Sequence, residues 1–539
     1  PKKTKIELEK DVTAFVGGNG SGKTAIFQAL SRLFGITVGQ RTVRFRDFHL
    51  PLGKARLETG DTLSIEVILS FPELEGMEED AIDDAVPEFF LQMAATSPGE
   101  PLKVRIKLKA RWIDDGTPEG TVEEDIRWIT TLTGKVEWDD CQKVIPAQRG
   151  SVQLIYVPAS RDASTQVSSL LKGRLWQAAI WSRKFRKSSE KNASLIQKRF
   201  ESERPAKFVL DKLEKRWSQV YEADTDTKPV FRLIENRFEE LVRNAEFVFY
   251  PDEAGHEREL ANLSDGQRSL FHIALTAAML EVEKENFALT PDECVFDQEK
   301  IRRTYLTILA IEEPENSLSP FFLSRIVLQA REIGELTSAQ VVISSHSAAI
   351  LSRIDPVEVR YCRLNQQDRE TSVRKLTLPS DDTEANKYVR LAVRAYPELY
   401  FARFVILGEG DSERLVIPRI AEAKGIPFDS SFVPIVPVGG RHVSHFWKLL
   451  NDLKIPHVTL LDLDLGRIHG GANNIRIVLK TLGDIGNDFS QNPMVKNGDI
   501  KLAEIYTLKD DSLLNGFEEN VWLQALQMEG VYFSDPIDL

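Results

Sequence analysis

Eight consecutive residues restrict what this chain can fold into more than any other stretch. Gly17-Gly18-Asn19-Gly20-Ser21-Gly22-Lys23-Thr24 fits the phosphate-binding pattern G-x-x-x-x-G-K-[ST] at every constrained position. The pattern works only between a strand and a helix, and both are predicted here. Val12 to Val16 is a short apolar run, and Thr24 to Phe34 carries Ile26, Phe27, Leu30, Leu33 and Phe34 at helical spacing before Gly35. An α/β domain with nucleotide at a strand end follows. Gly17, Gly20 and Gly22, with Asn19 between them, let backbone amides curl around phosphate oxygens, and the helix N-terminus adds its dipole. Lys23 is expected to reach the β and γ phosphates of ATP and Thr24 to ligate Mg²⁺.

At 539 residues the chain exceeds one ordinary domain, and about three or four are expected. Lys5 to Leu8 and Val12 to Val16 read as paired strands, and Leu63 to Phe71 as another. Glu73 to Glu100, acidic and broken by Pro87 and Pro98, reads as a solvated loop or short helix. From Val104 to Trp112 apolar residues alternate with Arg105, Lys107, Lys109 and Arg111, the pattern of a half-exposed antiparallel strand. That basic row is either an ordinary solvated face or a DNA contact. After the strand Gln153 to Val157 and the segment Pro158 to Asp162, a long stretch without strand signals reads as a helical insertion. Its Arg183 to Arg216 segment is the most basic in the chain, with Trp181, Phe185 and Trp217 interleaved. Solvated face, phosphate-binding surface and dimerisation element are all open readings of it. The net charge of -13 excludes a uniformly basic nucleic-acid coat, so DNA binding would need local patches. The three cysteines, Cys141, Cys294 and Cys362, fit neither metal spacing nor a disulfide framework. With no membrane-spanning apolar run and no signal peptide, a soluble cytoplasmic protein is expected. The start at Pro1 suggests that a little of the native N-terminus is missing.

The second half supplies further parts in order. Leu263-Ser264-Asp265-Gly266-Gln267 precedes a predicted helix from about Arg268 to Glu281, and resembles the ABC signature Leu-Ser-Gly-Gly-Gln except at Asp265. Tyr305 to Ile311 reads as a buried strand ending in Glu312-Glu313, followed by Pro314-Glu315-Asn316-Ser317-Leu318. Val341 to Ser345 reads as another, ending at His346. This is the order of an ABC-type ATPase. In that class Glu312 would hold the magnesium shell, Glu313 would orient or deprotonate the attacking water, and His346 would contact the γ-phosphate. Ser264 and the Gly266 amide would complete the site of a second protomer. Gln153 is one candidate for the glutamine of the so-called Q-loop.

Val357 to Leu378 reads as two strands around a polar turn, and Ser380 to Asn386 as a linker. The strand Phe404 to Leu407 then ends in Gly408-Glu409-Gly410-Asp411-Ser412-Glu413, and the strand Val458 to Leu461 ends in Asp462-Leu463-Asp464. Acids at the C-terminal ends of parallel strands lie where open α/β sheets bind ligands. Clustered hard oxygen donors suit Mg²⁺ or Mn²⁺, so Glu409, Glu413, Asp462 and Asp464 are candidate ligands. Glu518, before a late helix, is a further one. Gly439-Gly440 is a candidate turn beside the site, and no His or Cys cluster suggests zinc.

The pattern E-G-x-x-E followed by D-x-D resembles the Toprim catalytic fold. An ABC-type ATPase with a helical insert joined to a C-terminal Toprim domain resembles the OLD (overcoming lysogenization defect) family, which includes the nuclease subunit of the Gabija phage-defence system. The resemblance covers nearly the whole chain, through Gly17 to Thr24, Leu263 to Gln267, Glu312 to Leu318, His346, Glu409 to Glu413 and Asp462 to Asp464. It implies ATPase parts at 1–160 and 256–380, a helical, dimerising insert at 161–255 and a Toprim nuclease domain at 385–539. It further implies a homodimeric or tetrameric DNA endonuclease regulated by ATP, with Glu409, Asp462 and Asp464 catalytic, in bacterial antiphage defence. A helicase or other defence-system subunit is a further partner class. Two departures stand out: Ser319 where relatives often have histidine, and Gly408 before the first Toprim glutamate. Family members often extend further and supply a late lysine not identified here. The competing reading is a RecF/SMC-like DNA-binding ATPase with a non-catalytic Toprim domain, against which the retained acids argue. A transporter ATPase subunit would not carry a Toprim domain, and a topoisomerase would need a DNA-gate domain for which no length remains.

Overall fold

The computed structural model describes residues 3–71, 94–95, 103–129, 131, 137–158, 175–221, 229–235, 237–250, 254–301, 304–316, 318–336, 338–365, 369–376, 384–426, 432–438, 443–467, 470–513 and 520–534. Its centre is a six-stranded sheet in the spatial order Thr371–Lys375, Val359–Leu364, Val12–Val16, Ala339–Ser345, Leu306–Glu312, Val152–Val157. All neighbours are parallel except the edge pair Val359–Leu364 with Thr371–Lys375. Val12–Val16 is buried along its whole length, as a strand with both faces covered must be. Phe15 joins a core with Phe27, Leu30 and Leu33 of helix Lys23–Phe34. Val12, Ala14 and Val16 join a second core with Ile326, Val327 and Ala330 of helix Pro320–Gly334. The strand's period of two therefore welds two hydrophobic layers together.

The first layer is roofed by an antiparallel sheet, Thr62–Ser70, Lys103–Ile113, Thr121–Ile129 and Gln142–Lys143, with Ala94–Ala95 paired to Lys103–Ile113. Val104, Ile106, Leu108, Ala110 and Trp112 face the core, as their alternation requires. On the opposite face Arg105 and Lys107 both pair with Glu66, at 2.9 Å each, and Lys109 lies 3.8 Å over the Trp138 ring. The basic row is thus partly neutralised within the sheet. Helices Arg183–Ser202 and Arg204–Val220 follow each other with only Glu203 between them.

The C-terminal unit holds a four-stranded parallel sheet in the order Ile435–Pro437, Val405–Gly408, His457–Leu461, Val531–Phe533. Some expectations need correction. Lys5 to Leu8 forms no strand; Arg360, only 2% exposed, donates to the Glu7 carbonyl and, at 2.6 Å, to the Glu9 carboxylate, while Gln340 donates to the Glu9 carbonyl at 2.6 Å. Side chains thus satisfy that backbone in place of a ladder. The expected linker runs into helix Glu384–Ala395, whose first turn covers its last three residues. Residues 72–93, 159–174, Ser317, Gly439-Gly440 and Glu518 lie outside the described residues, and with them most of the acidic segment after Glu73.

Candidate active sites at two sheet edges

Parallel pairing brings the sequence motifs of the ATPase half to one edge. Val16 is opposite Ser345, and Glu312 opposite Ser344, so Gly17, His346 and Glu313 leave the sheet side by side. Lys23 is 4% exposed and its Nζ lies inside the loop, donating to the carbonyls of Gly17 at 2.8 Å and Gly18 at 3.0 Å. Burial holds this ammonium below its ordinary range, against the opposing pull of Glu313, Glu315 and Glu312. Gly22 at φ +94° takes the left-handed region, and a β-carbon there would meet the Thr371 hydroxyl at 2.5 Å. Gly17 is tighter, since its β-carbon would fall 2.1 Å from the Cys362 carbonyl. The loop is therefore seated against the strands Val359–Leu364 and Thr371–Lys375.

Thr24 Oγ1 donates to Glu312 Oε1 at 2.6 Å, which puts the two expected magnesium-shell residues at one point. The other Glu312 oxygen accepts from the hydroxyl of Tyr156, a residue that sequence reasoning missed. Tyr156 is opposite Ala310 in the ladder, so Glu312, two residues on, shares its face. Burial, then the hydrogen bond to Glu312, push the Tyr156 hydroxyl upward, so it stays a donor. Gln153 is not near this edge: it opposes Thr307 and donates to its hydroxyl at 2.9 Å, at the far end of the strand.

Glu313 sits at φ +44°, a region that costs a non-glycine residue on the order of 1–3 kcal/mol. Its N–H donates to the Ser344 carbonyl at 2.9 Å, and its carboxylate accepts from Asn316 at 2.8 Å. His346 Nδ1 lies 3.3 Å from Glu313 and 3.4 Å from Glu315. Glu315, given no role from sequence, accepts from the Ser345 hydroxyl at 2.7 Å and the His346 N–H at 2.8 Å, fixing the histidine's backbone. Ser264 caps helix Asp265–Ala288 through a reciprocal box with Gln267. Asp265, the departure from the signature, lies in the first turn and pairs with Arg268. Among the described residues, no hydrogen bond joins Ser264 or Gly266 to the phosphate loop.

At the C-terminal sheet, Leu407 is opposite Thr459, so Glu409 and Asp462 emerge from adjacent strands at the same end. The Asp462 N–H donates to Glu409 Oε2 at 2.6 Å. Burial first, then repulsion from Asp464 and Glu413, push Asp462 above the usual carboxylate range. Glu409 is raised by burial and by Asp462, Asp464 and Glu413, against the lowering effect of the Asp462 N–H. Glu413 accepts from the Gly410 N–H at 2.8 Å and the Ser412 hydroxyl at 3.0 Å. Asp464, at φ +50°, pairs with Arg467 at 2.8 Å. No three His, Cys, Asp or Glu side chains among the described residues form a ready cation shell. The donor chemistry nonetheless suits a hard divalent ion: four carboxylates, two of them in repulsive, partly desolvated surroundings. Gly408 also has a reason, because a β-carbon there would lie 2.7 Å from Glu413 Cβ.

Known proteins match both halves. Residues 12–352 match the family described as "AAA domain, putative AbiEii toxin, Type IV TA system", and residues 400–464 match "Overcoming lysogenization defect protein-like, TOPRIM domain". Among curated proteins, "Uncharacterized protein YbjD" of Escherichia coli (strain K12) is 28% identical over 158 residues, 29% of this chain and 28% of that one. "Endonuclease GajA" of Bacillus cereus (strain VD045) is 27% identical over 161 residues, 30% of this chain and 27% of that one. The matched part thus spans little more than a quarter of either relative. Among solved structures, the C-terminal region of the Xanthomonas campestris pv. campestris OLD protein is 29% identical over 25% of this chain and 52% of its own, at a TM-score of 0.18. The SMC head domain from Thermotoga maritima covers 69% of this chain and 93% of its own, at 13% identity and a TM-score of 0.29. No helix among the described residues is long and apolar enough to cross a membrane. The chain belongs to the AAA domain family matched over residues 12–352, and carries after it the Toprim domain of OLD-like proteins.

Proposed function

We propose that this protein is an ATP-regulated, divalent-metal-dependent DNA endonuclease of bacterial antiphage defence, cytoplasmic and at least dimeric. The observation that carries the reading is the placement of Glu409 and Asp462 on adjacent parallel strand ends, hydrogen-bonded at 2.6 Å, with Glu413 and Asp464 close enough to repel them. A site built only to stabilise the fold gains nothing from such repulsion. Mg²⁺ or Mn²⁺ held by these four acids would supply water activation and charge stabilisation at a phosphodiester. The word endonuclease in the Bacillus cereus relative's name agrees with this chemistry. In the ATPase half, Lys23 binds phosphate, Thr24 and Glu312 hold the magnesium shell, Glu313 orients water and His346 faces the γ-phosphate, with Ser264 and Gly266 acting on a partner's nucleotide. DNA contacts or self-association fall to the basic helices Arg183–Ser202 and Arg204–Val220.

The test incubates purified protein with supercoiled and linear DNA, with and without Mg²⁺ and ATP, beside Asp462→Ala and Asp464→Ala. Cleavage should need the metal, fall by orders of magnitude in both variants, and change with ATP. Parent and variants cutting equally fast, in preparations free of contaminating nuclease, would overturn it. DNA bound without cleavage would transfer the case to the RecF/SMC-like reading.

A further inference from the structure

A cavity of about 1330 Å³ separates the phosphate loop from the C-terminal unit. One wall is made by Gly18 and Asn19 of the loop and by His346, the other by residues of the C-terminal unit that include Arg403 and Phe432. Its volume exceeds the roughly 300–1,000 Å³ of ordinary small-molecule sites, enough for a triphosphate tail with its hydration. The side of the phosphate loop that borders it is the side that His346 shares, where the terminal phosphate of a bound nucleotide belongs.

Arg403 is the one lysine or arginine among the described residues lining this space. Its backbone is fixed, since its N–H donates to the Phe432 carbonyl at 3.1 Å, while its side chain is exposed. Among the described residues the guanidinium makes no ion pair. Glu422, on the same wall, is within 3.3 Å of Arg419, and Glu398 adds a second negative charge. Among the described residues that line the cavity, Arg403 is thus the sole permanent cation. Its planar fork of donors suits a phosphate.

We propose that Arg403 contacts the terminal phosphate of a nucleotide held by Gly17–Thr24 of the same chain, making the C-terminal unit a reader of ATP against ADP. The inference rests on the nucleotide-site reading above and deepens it. Arg403 lies two residues before the strand Val405–Gly408, and Glu409 directly follows that strand. A strand advances about 3.3 Å per residue, so the reader and the acidic site sit roughly 20 Å apart at opposite ends of one rigid element. Gain or loss of the γ-phosphate would then bear on the sheet edge that holds Glu409.

Calorimetry of the full chain with Mg²⁺-ATP and Mg²⁺-ADP tests this on the parent, Arg403→Ala, Arg403→Gln and Arg403→Lys, each first shown to melt like the parent. Loss of one charge-assisted contact should weaken ATP by about tenfold or more in Arg403→Ala and Arg403→Gln, with ADP affinity within about twofold of the parent. Arg403→Lys should recover part of the loss. An unchanged ATP-to-ADP ratio in Arg403→Ala, equal weakening of both nucleotides, or a parent that does not prefer ATP would each overturn the inference. A parent that binds neither nucleotide would instead sink the nucleotide-site reading on which it rests.

Discussion

His272 offers a test of how the helix that follows the signature motif is held. The ring is fully buried, and neither nitrogen has a partner among the described residues. Burial lowers its folded-state pKa from 6.5 to about 4. The unfolded chain therefore takes up a proton at this position that the folded chain refuses between those values. Stability from this group is fully present above about pH 6.5 and is lost progressively as pH falls toward 4. At 1.36 kcal/mol per unit, the loss at pH 5 is about 2 kcal/mol. For a domain of this size that lowers the melting temperature by a few degrees. His272→Leu removes the titrating ring and both orphaned nitrogens, and replacing such a group by an apolar one is near neutral or stabilising. The assay is the thermal midpoint of parent and variant at pH 7 and pH 5, by circular dichroism. His457, also held low by burial, acts in both proteins and cancels in the comparison. The parent should lose a few degrees more than the variant; equal losses would refute the assignment.

Tyr156→Phe takes away one of the two hydroxyls that hold Glu312; a hydrogen bond to a charged group is worth about 1.5–3 kcal/mol. ATPase titrations should then need more Mg²⁺ for half-maximal rate, and an unaltered Mg²⁺ requirement would remove Tyr156 from the site. Glu313→Gln should keep ATP bound but hydrolyse it about 10²-fold or more slowly, measured as single-turnover phosphate release. If Glu312→Gln stops turnover and Glu313→Gln does not, the two roles are reversed. Gly408→Ala pushes a methyl into Glu413, 2.7 Å away, and should cost about 1–3 kcal/mol together with metal-dependent cleavage. A variant with the parent's melting temperature and cleavage rate would show that Glu413 moves aside freely.

The phosphate loop was readable because its chemistry is local: eight contiguous residues between a buried strand and an amphipathic helix. The later motifs were readable because each ends an apolar strand, and parallel pairing then carries Gly17, Glu313 and His346 to one edge. Tyr156 was not readable. Its link to Glu312 spans 156 positions and depends on the register that sets it opposite Ala310, although a tyrosine one residue from a strand's end was a usable signal. Gln153 misled because sequence proximity to Pro158 says nothing about which end of a strand a side chain occupies. Lys5 to Leu8 has the alternation of a strand, but Arg360 and Gln340 supply the hydrogen bonds that a neighbouring strand would have made. Gly408 looked like a departure from a pattern; only the approach of the first helical turn shows why a side chain has no room there.

The position of Val12–Val16 in the sheet bears on how the protein is born. This strand leaves the ribosome well before both its neighbours, Ala339–Ser345 and Val359–Leu364, which come more than three hundred residues later. At translation rates of about 5–20 residues per second, it waits roughly 20–70 s for a partner. Throughout that interval the five residues of this strand and the glycine-rich turn after them have no ladder to join, and such long-range closure is intrinsically slow. Nascent chains stalled before residue 339 should hold an open, protease-sensitive N-terminus that recruits chaperones. The sheet edge that seats the phosphate loop is thus assembled only after residue 345 has been made, and a product truncated before residue 339 should lack it.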